Sequence, residues 1–293
     1  MKKISMLNQI PALACWLSLV IVLLAGCKKE PIVSTTSSQV NITGYLDKNP
    51  GQFSEWRKVL EITGNAGFLQ AYGNYTMFLP SNDGVKKYLA DMGKSSVEEL
   101  DVEELKSLVR FHLLEDTIPS TAFGDGKLNT LTMLGQYLIT GSSNDGSTTN
   151  IVINRQANVT LFNVRLGNGY VHVIDNVLRP AQQTLAQMIE SKPEYSIFTE
   201  ALKATGLYEK LNVLPVNNPE PDQRFLTLIG ESDAVLNAAG IADYAALLAK
   251  YNSGTSDLKN PENGLNKYMA YHVMLGAKYL ADIASNQAHS TLI

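Results

Sequence analysis

The chain has 293 residues, 45% hydrophobic and 18% charged, which is enough apolar side chain to bury a core and excludes a disordered protein. With 24 Lys and Arg against 28 Asp and Glu the net charge is −4, and no Lys/Arg run exceeds two residues, which argues against a nucleic-acid footprint. The only two cysteines, Cys15 and Cys27, lie within the first 27 residues, which removes a disulfide scaffold, a CxxC redox pair and a cysteine zinc cluster.

The N-terminus reads as an address. Met1-Lys2-Lys3 is a short basic start, and Pro11 to Leu24 is an apolar run too short for an ordinary spanning helix, as in a secretory signal. It ends in Leu24-Ala25-Gly26-Cys27, which resembles the bacterial lipoprotein processing box: an aliphatic residue, two small residues, then a cysteine whose thiol can carry a thioether-linked lipid. Residues 1–26 are therefore expected to be removed, taking Lys2 and Lys3 with them and moving the net charge from −4 to −6. Cys27 is the expected lipid-attachment residue, and acyl methylenes at ~0.8 kcal/mol each, on more than one chain, hold a protein at a membrane without a spanning helix. Residues 27–43, with the run Ser34-Thr35-Thr36-Ser37-Ser38 and no helical periodicity, read as a flexible tether. The expected location is the bacterial cell envelope, lipid-anchored at the outer membrane, with the surface and periplasmic faces both open.

Beyond the tether the sequence repeats itself. Phe53 to Gly64 matches Tyr195 to Gly206 at an offset of 142, with apolar residues at helical spacing in both (Phe53, Trp56, Val59, Leu60; Tyr195, Phe198, Ala201, Leu202) and a glycine where each helix would end. Phe78 to Asp83 aligns with Leu228 to Asp233 at an offset of 150 as a strand end followed by a capping turn. Leu105, Leu108, Val109 and His112 align with Leu265, Tyr268, Met269 and His272 at an offset of 160, two helices that each run into an aromatic-His pair. Ser95 with Glu98 suggests a capping box for the first of these, and Asn260-Pro261 a cap for the second. The common order predicts two homologous domains, 44–180 and 181–293, the second with inserted loops such as Pro215 to Pro221. Between the first aromatic-His pair and residue 180, Tyr137 to Thr140, Ile151 to Ile153 and Val159 to Phe162 are short β-favouring runs separated by Gly and Asn/Asp turns, as in a meander of hairpins. Helices early and strands late argue α+β.

Tyr75 to Asp83, the Phe111-His112 pair and Asn168 to Pro180 together resemble the three signatures of the fasciclin-like domain, over about Gly44 to Pro180. The resemblance implies an α+β fold, a sandwich of short strands with helices packed on one side, in tandem. It implies adhesion or matrix-type recognition with no cofactor, no metal and no catalytic group. Its motif residues here are Thr76, Pro80, Phe111, His112, His172 and Asp175, and Tyr271 and His272 in the second copy. That copy has Gly230 in place of the family's proline and lacks the closing signature; aligning Ser290-Thr291-Leu292 with Asn129-Thr130-Leu131 stops it at the sheet. It is expected to lack much of its sheet and to be a truncated product or to depend on a partner strand.

His112 and His272 each occupy the i+7 position of an apolar helical face, where a core histidine satisfied by a hydrogen bond is expected rather than a metal ligand or a base; Asp175 or a backbone group is the expected partner of His112. His172, on one strand face with Tyr170 and Ile174, reads as packing, and His289 as exposed. No HExxH, GxSxG, GxGxxG or Walker pattern is present. Ser142 to Ser147 lacks the acidic spacing of a calcium loop and reads as a hairpin tip, and the acidic run from Glu98 to Glu104 as a solvated helix start. These readings predict an anchored, non-enzymatic module that binds a protein or glycan ligand. The alternative is a glycan- or nutrient-capture accessory of an uptake system, for which Tyr45, Tyr72 and Tyr75 are the candidate stacking rings.

Overall fold

The computed structural model describes residues 40–293 except 72, 145–148 and 284–286. The signal segment, Cys27 and the tether up to residue 39 lie outside the described residues. The chain enters the fold at α1 (Ile42–Lys48), whose N-cap Asn41 accepts the Gly44 N–H, and continues into α2 (Pro50–Ile62), where Pro50 occupies the first turn that needs no donor. The face of α2 bearing Phe53, Trp56, Val59 and Leu60 is buried, and Gly64, at φ 72°, turns the chain into the short α3 (Asn65–Phe68).

The strand β1 (Tyr75–Pro80) is buried along its whole length because β2 and β7 flank it and a core cluster covers each of its faces. Two further helices follow, α4 (Asn82–Asp91), capped by Ser81, and α5 (Val102–Phe111), capped by Asp101. The remaining strands of this half are β2 (Leu113–Leu114), β3 (Gly126–Lys127), β4 (Ile139–Asn144), β5 (Thr149–Ile153), β6 (Ala157–Leu166) and β7 (Gly169–Ile174). They form a mixed seven-stranded sheet of order β2-β1-β7-β6-β5-β4-β3, in which only β1 and β7 are parallel. Register shifts in β6 between Val159 and Val164 bend it. The sheet curls as a result: Phe78 of β1 and Ile174 of β7 share one core cluster with Ala157 of β6, Ile153 of β5 and Leu138 just before β4. The opposite face packs on the helices through Met77, Leu79, Val171 and Val173 against Trp56, Leu60, Leu105 and Val109. This is the expected α+β architecture, with one curled sheet providing both strand layers.

A separate core fills residues 186–292. Its elements are α6 (Leu185–Glu190), α7 (Ser196–Ala204), α8 (Leu207–Leu211), β8 (Leu226–Leu228), α9 (Asp233–Ala238), α10 (Tyr244–Tyr251), α11 (Gly264–Tyr271) and β9 (Val273–Leu275). Here β8 and β9 pair antiparallel and Met274 bridges to Thr291. The contacts of the first half recur. Gly206 (φ 73°) stands in for Gly64, and Asp233 accepts the Ile197 N–H as Asn82 accepts that of Glu55. Thr227 Oγ1 donates to Gly276 C=O and accepts from Lys278 N–H, as Thr76 does with Asp116 and Ile118.

These bonds correct the alignment. Ser81 and Ser232 cap matching helices, and Phe78 and Ile229 both donate to the carbonyl of the histidine, so the offset at this strand is 151. Leu292 N–H bonds Val273 C=O as Met133 N–H bonds Leu113 C=O, which places Thr291 opposite Thr132 rather than Thr130. The helix starts also differ: Asp101 and Asn263, not Ser95 or Asn260, cap α5 and α11, because each presents its side-chain oxygen to two successive backbone N–H groups.

Candidate functional site

The motif residues of the first half converge where α5 ends against the sheet. α5 hands His112 into a fully buried position, its ring 4.6 Å from that of Trp56. The Nδ1–H donates to Leu108 C=O at 2.7 Å, and Nε2 accepts the N–H of Leu178 at 2.9 Å. Both ring nitrogens are thus spent on backbone, and burial holds the pKa down at about 4, so the ring is neutral at pH 7. The partner is the backbone and not Asp175, which accepts from Asn158 N–H and Asn158 Nδ2 and fastens β6 to the end of β7. Thr76 ties β1 to the Asp116–Ile118 segment through the two bonds above, and Pro80 ends β1 beside Ile174. Phe111 is buried in the curled-sheet core.

His172 is buried between Phe78 and Phe123, with Nε2 bonded to Ile118 C=O at 2.9 Å, and burial lowers its pKa. In the second half His272 repeats the Nδ1 bond to a helix carbonyl, Tyr268, and its ring lies 5.3 Å from Phe198 as His112 lies against Trp56. Its Nε2 differs, lying 3.7 Å from the Glu231 carboxylate, which also accepts a hydrogen bond from Tyr268. The preceding aromatic differs too: Tyr271 is 66% exposed where Phe111 is 2%. At the offset of 151 it is Glu231, not Gly230, that stands at the position of Pro80, and its contact with His272 carried no other sequence signal.

The acidic run is distributed as helix-start charge: Asp101 caps α5, Glu103 and Glu104 lie in its first turn, and Glu104 accepts from Tyr88. β4 ends at Asn144 and β5 begins at Thr149, which fits a hairpin, although 145–148 lie outside the described residues. The proposed stacking rings do not form a platform: Tyr75 is buried, Tyr45 packs on Phe53 in the core, and Tyr72 lies outside the described residues. His289 is half-buried rather than exposed. Among the described residues no group of three His, Cys, Asp or Glu is placed to hold a metal.

A cavity lies elsewhere, where the two halves meet. Gln136 exchanges two hydrogen bonds with the backbone of Ala181, Gln156 holds Arg179 in the same manner from both ends, and together they pin the connecting segment to the first half. Tyr137 packs on Phe225 at 5.0 Å, and Lys127 pairs with Asp282 at 3.1 Å. These contacts leave a cavity of about 520 Å³ between them, with Leu185, Leu211, Val213 and Leu226 on one wall.

Comparison with known proteins bears on the first half above all. Residues 51–180 match the model of the Fasciclin domain. The transforming growth factor-beta-induced protein ig-h3 of Sus scrofa is 26% identical over 183 residues, 62% of this chain and 25% of that protein. Periostin of Homo sapiens is 25% identical over 135 residues, 46% of this chain and 15% of periostin. The matches therefore span a quarter or less of these curated relatives. Among solved structures, a FAS1 domain pair from the insect cell adhesion molecule Fasciclin I is similar over 81% of both chains, with 19% identity and a TM-score of 0.35. Residues 51–180 are thus similar to the Fasciclin domain family.

Proposed function

We propose that this chain is a lipid-anchored cell-envelope protein whose fasciclin domain is an adhesion or binding module for a protein or glycan ligand, with no catalysis of its own. The observation that carries the reading is the fasciclin domain at residues 51–180. The chemistry of its motif supports a scaffold role: His112, His172 and Thr76 spend their polar atoms on backbone, and Asp175 spends its two oxygens on the backbone and side chain of Asn158. Residues 181–293 are proposed as a second fasciclin-type unit, supported by the recurrence of the threonine bridge, of the histidine Nδ1 bond to a helix carbonyl and of the helix caps. Anchoring rests on the processing box at Leu24 to Cys27.

The test is external protease on intact cells, followed with an antibody to residues 44–180, alongside a Cys27→Ser variant. Digestion of the anchored protein, release of the Cys27→Ser form into the soluble fraction and loss of cell attachment after digestion are expected. Protection until the envelope is broken would remove adhesion, and an unchanged membrane fraction for Cys27→Ser would remove the anchor.

A further inference from the structure

In the first half, the strand β7 is locked beside β1 by one asparagine. Asn168 accepts the Ile42 N–H at 2.9 Å through Oδ1 and donates through Nδ2 to Leu69 C=O at 2.7 Å and Ala71 C=O at 3.3 Å, while its own carbonyl accepts the Tyr75 N–H at 3.0 Å. Gly169 follows because a Cβ there would lie 1.9 Å from the Tyr75 carbonyl oxygen. The strand then runs parallel to β1, Tyr75 opposite Gly169 through Pro80 opposite Ile174.

The second half holds the matching receptor groups. Leu185 follows the N-cap of α6 as Ile42 follows that of α1. Leu211 and Val213 stand in for Leu69 and Ala71 at the offset of 142, and Leu226 for Tyr75 at the offset of 151. All four line the 520 Å³ cavity between the halves. Among the described residues, the Leu185 N–H, the Leu211 and Val213 carbonyls and the Leu226 N–H have no hydrogen-bond partner. The ladder to β9 uses Phe225, Thr227 and Ile229, so the N–H and C=O of Leu226 and Leu228 point to the opposite edge of β8. The sheet face is open as well: Ile229 is 48% exposed where its counterpart Phe78 is fully buried.

We infer that this cleft is a strand-addition site, and that its ligand is an extended segment of a partner polypeptide beginning Asn-Gly and continuing with apolar residues, paired parallel to β8. The asparagine amide takes the Leu185 N–H and gives its own hydrogens to Leu211 and Val213; the following strand uses Leu226 and Leu228. A cavity of this volume suits the leading residues of such a segment, and one primary amide satisfies a donor and two acceptors at once. The inference deepens the binding role proposed above by naming its ligand class, and rests on that role only for its biological meaning.

The probe is the synthetic peptide of this chain's own β7, Asn168 to Asp175, titrated into the purified protein by calorimetry. Saturable binding with one site per chain is expected, weakened roughly tenfold or more when the peptide's asparagine or glycine is replaced by alanine, the loss of one or more buried hydrogen bonds or a steric block. Leu185→Pro removes the receiving N–H at a helix position that suits proline and should reduce the asparagine dependence while leaving the melting temperature near that of the parent. Leu226→Pro, which spares the bonds to β9, is the second variant and should weaken every peptide equally. No saturable binding, or binding that neither the alanine peptides nor Leu185→Pro changes, overturns the site. The titration reports on the cleft alone, whereas protease access reports on anchoring and exposure, so either reading fails without the other.

Discussion

A buried histidine with both nitrogens bonded to backbone is a rigid connector, and His112 joins α5 to the chain that leaves β7. Protonating Nε2 would turn an acceptor into a donor facing the Leu178 N–H, in a place with no water to screen the charge. The folded pKa of about 4 lies below the unfolded value of 6.5, so the unfolded chain binds the extra proton between these pH values. The contribution is intact above about pH 6.5 and is lost as the pH falls toward 4, by up to roughly 3 kcal/mol. Urea unfolding at pH 7.5 and pH 4.5 should show this loss in the parent and a smaller one in His112→Gln; equal losses would clear His112 of the effect. At pH 7 His112→Ala should cost about 2 to 4 kcal/mol, since it opens a cavity beside Trp56 and orphans the Leu178 N–H. That this histidine is a satisfied core residue was legible from its i+7 position on an apolar face. Its partner was not, because Leu178 comes from 66 residues away and backbone carries no sequence signature.

At the scale of elements, the parallel contact of β1 with β7 is the least forgiving. Gly169, at φ 143°, crosses the Tyr75 carbonyl so closely that any side chain displaces one strand from the other. Gly169→Ala should therefore destabilise the first half by more than about 3 kcal/mol, read as a fall in urea midpoint with little change in slope. A midpoint within error of the parent would mean that the strands separate freely. Helix faces were legible here because a period of 3.6 places Phe53, Trp56, Val59 and Leu60 together whatever surrounds them. Helix starts were less so: Ser95 with Glu98 satisfies the capping pattern, but Asp101 lies where the chain enters α5 and reaches two N–H groups. Strand register was legible only to within one or two residues, since apolar β runs slide against one another until hydrogen bonds such as Ile229 to His272 fix them.

For the whole molecule, the two halves share several helix caps and side-chain bonds but carry unequal sheets among the described residues. The first buries Phe78 and Phe111 under a curled seven-stranded sheet, whereas the second sets Ile229 and Tyr271 at a surface and pairs β8 on one edge among the described residues. Fewer apolar side chains removed from water and fewer ladder bonds per strand make the second half the weaker cooperative unit. What couples it to the first is a small set of contacts: Tyr137 on Phe225, Lys127 with Asp282, and the braced segment from Arg179 to Ala181. Native-state hydrogen exchange should accordingly show the amides of Thr227 and Ile229 opening well before those of Thr76 and Phe78, although each pair occupies matching places in its half. Occupation of the cleft by the β7 peptide should slow the first pair and leave the second unchanged, because strand addition stabilises the half whose β8 edge is open among the described residues. Matching protection in both pairs without peptide would mean that the junction already makes the two halves one cooperative body, and the inequality of the sheets would then have no energetic consequence.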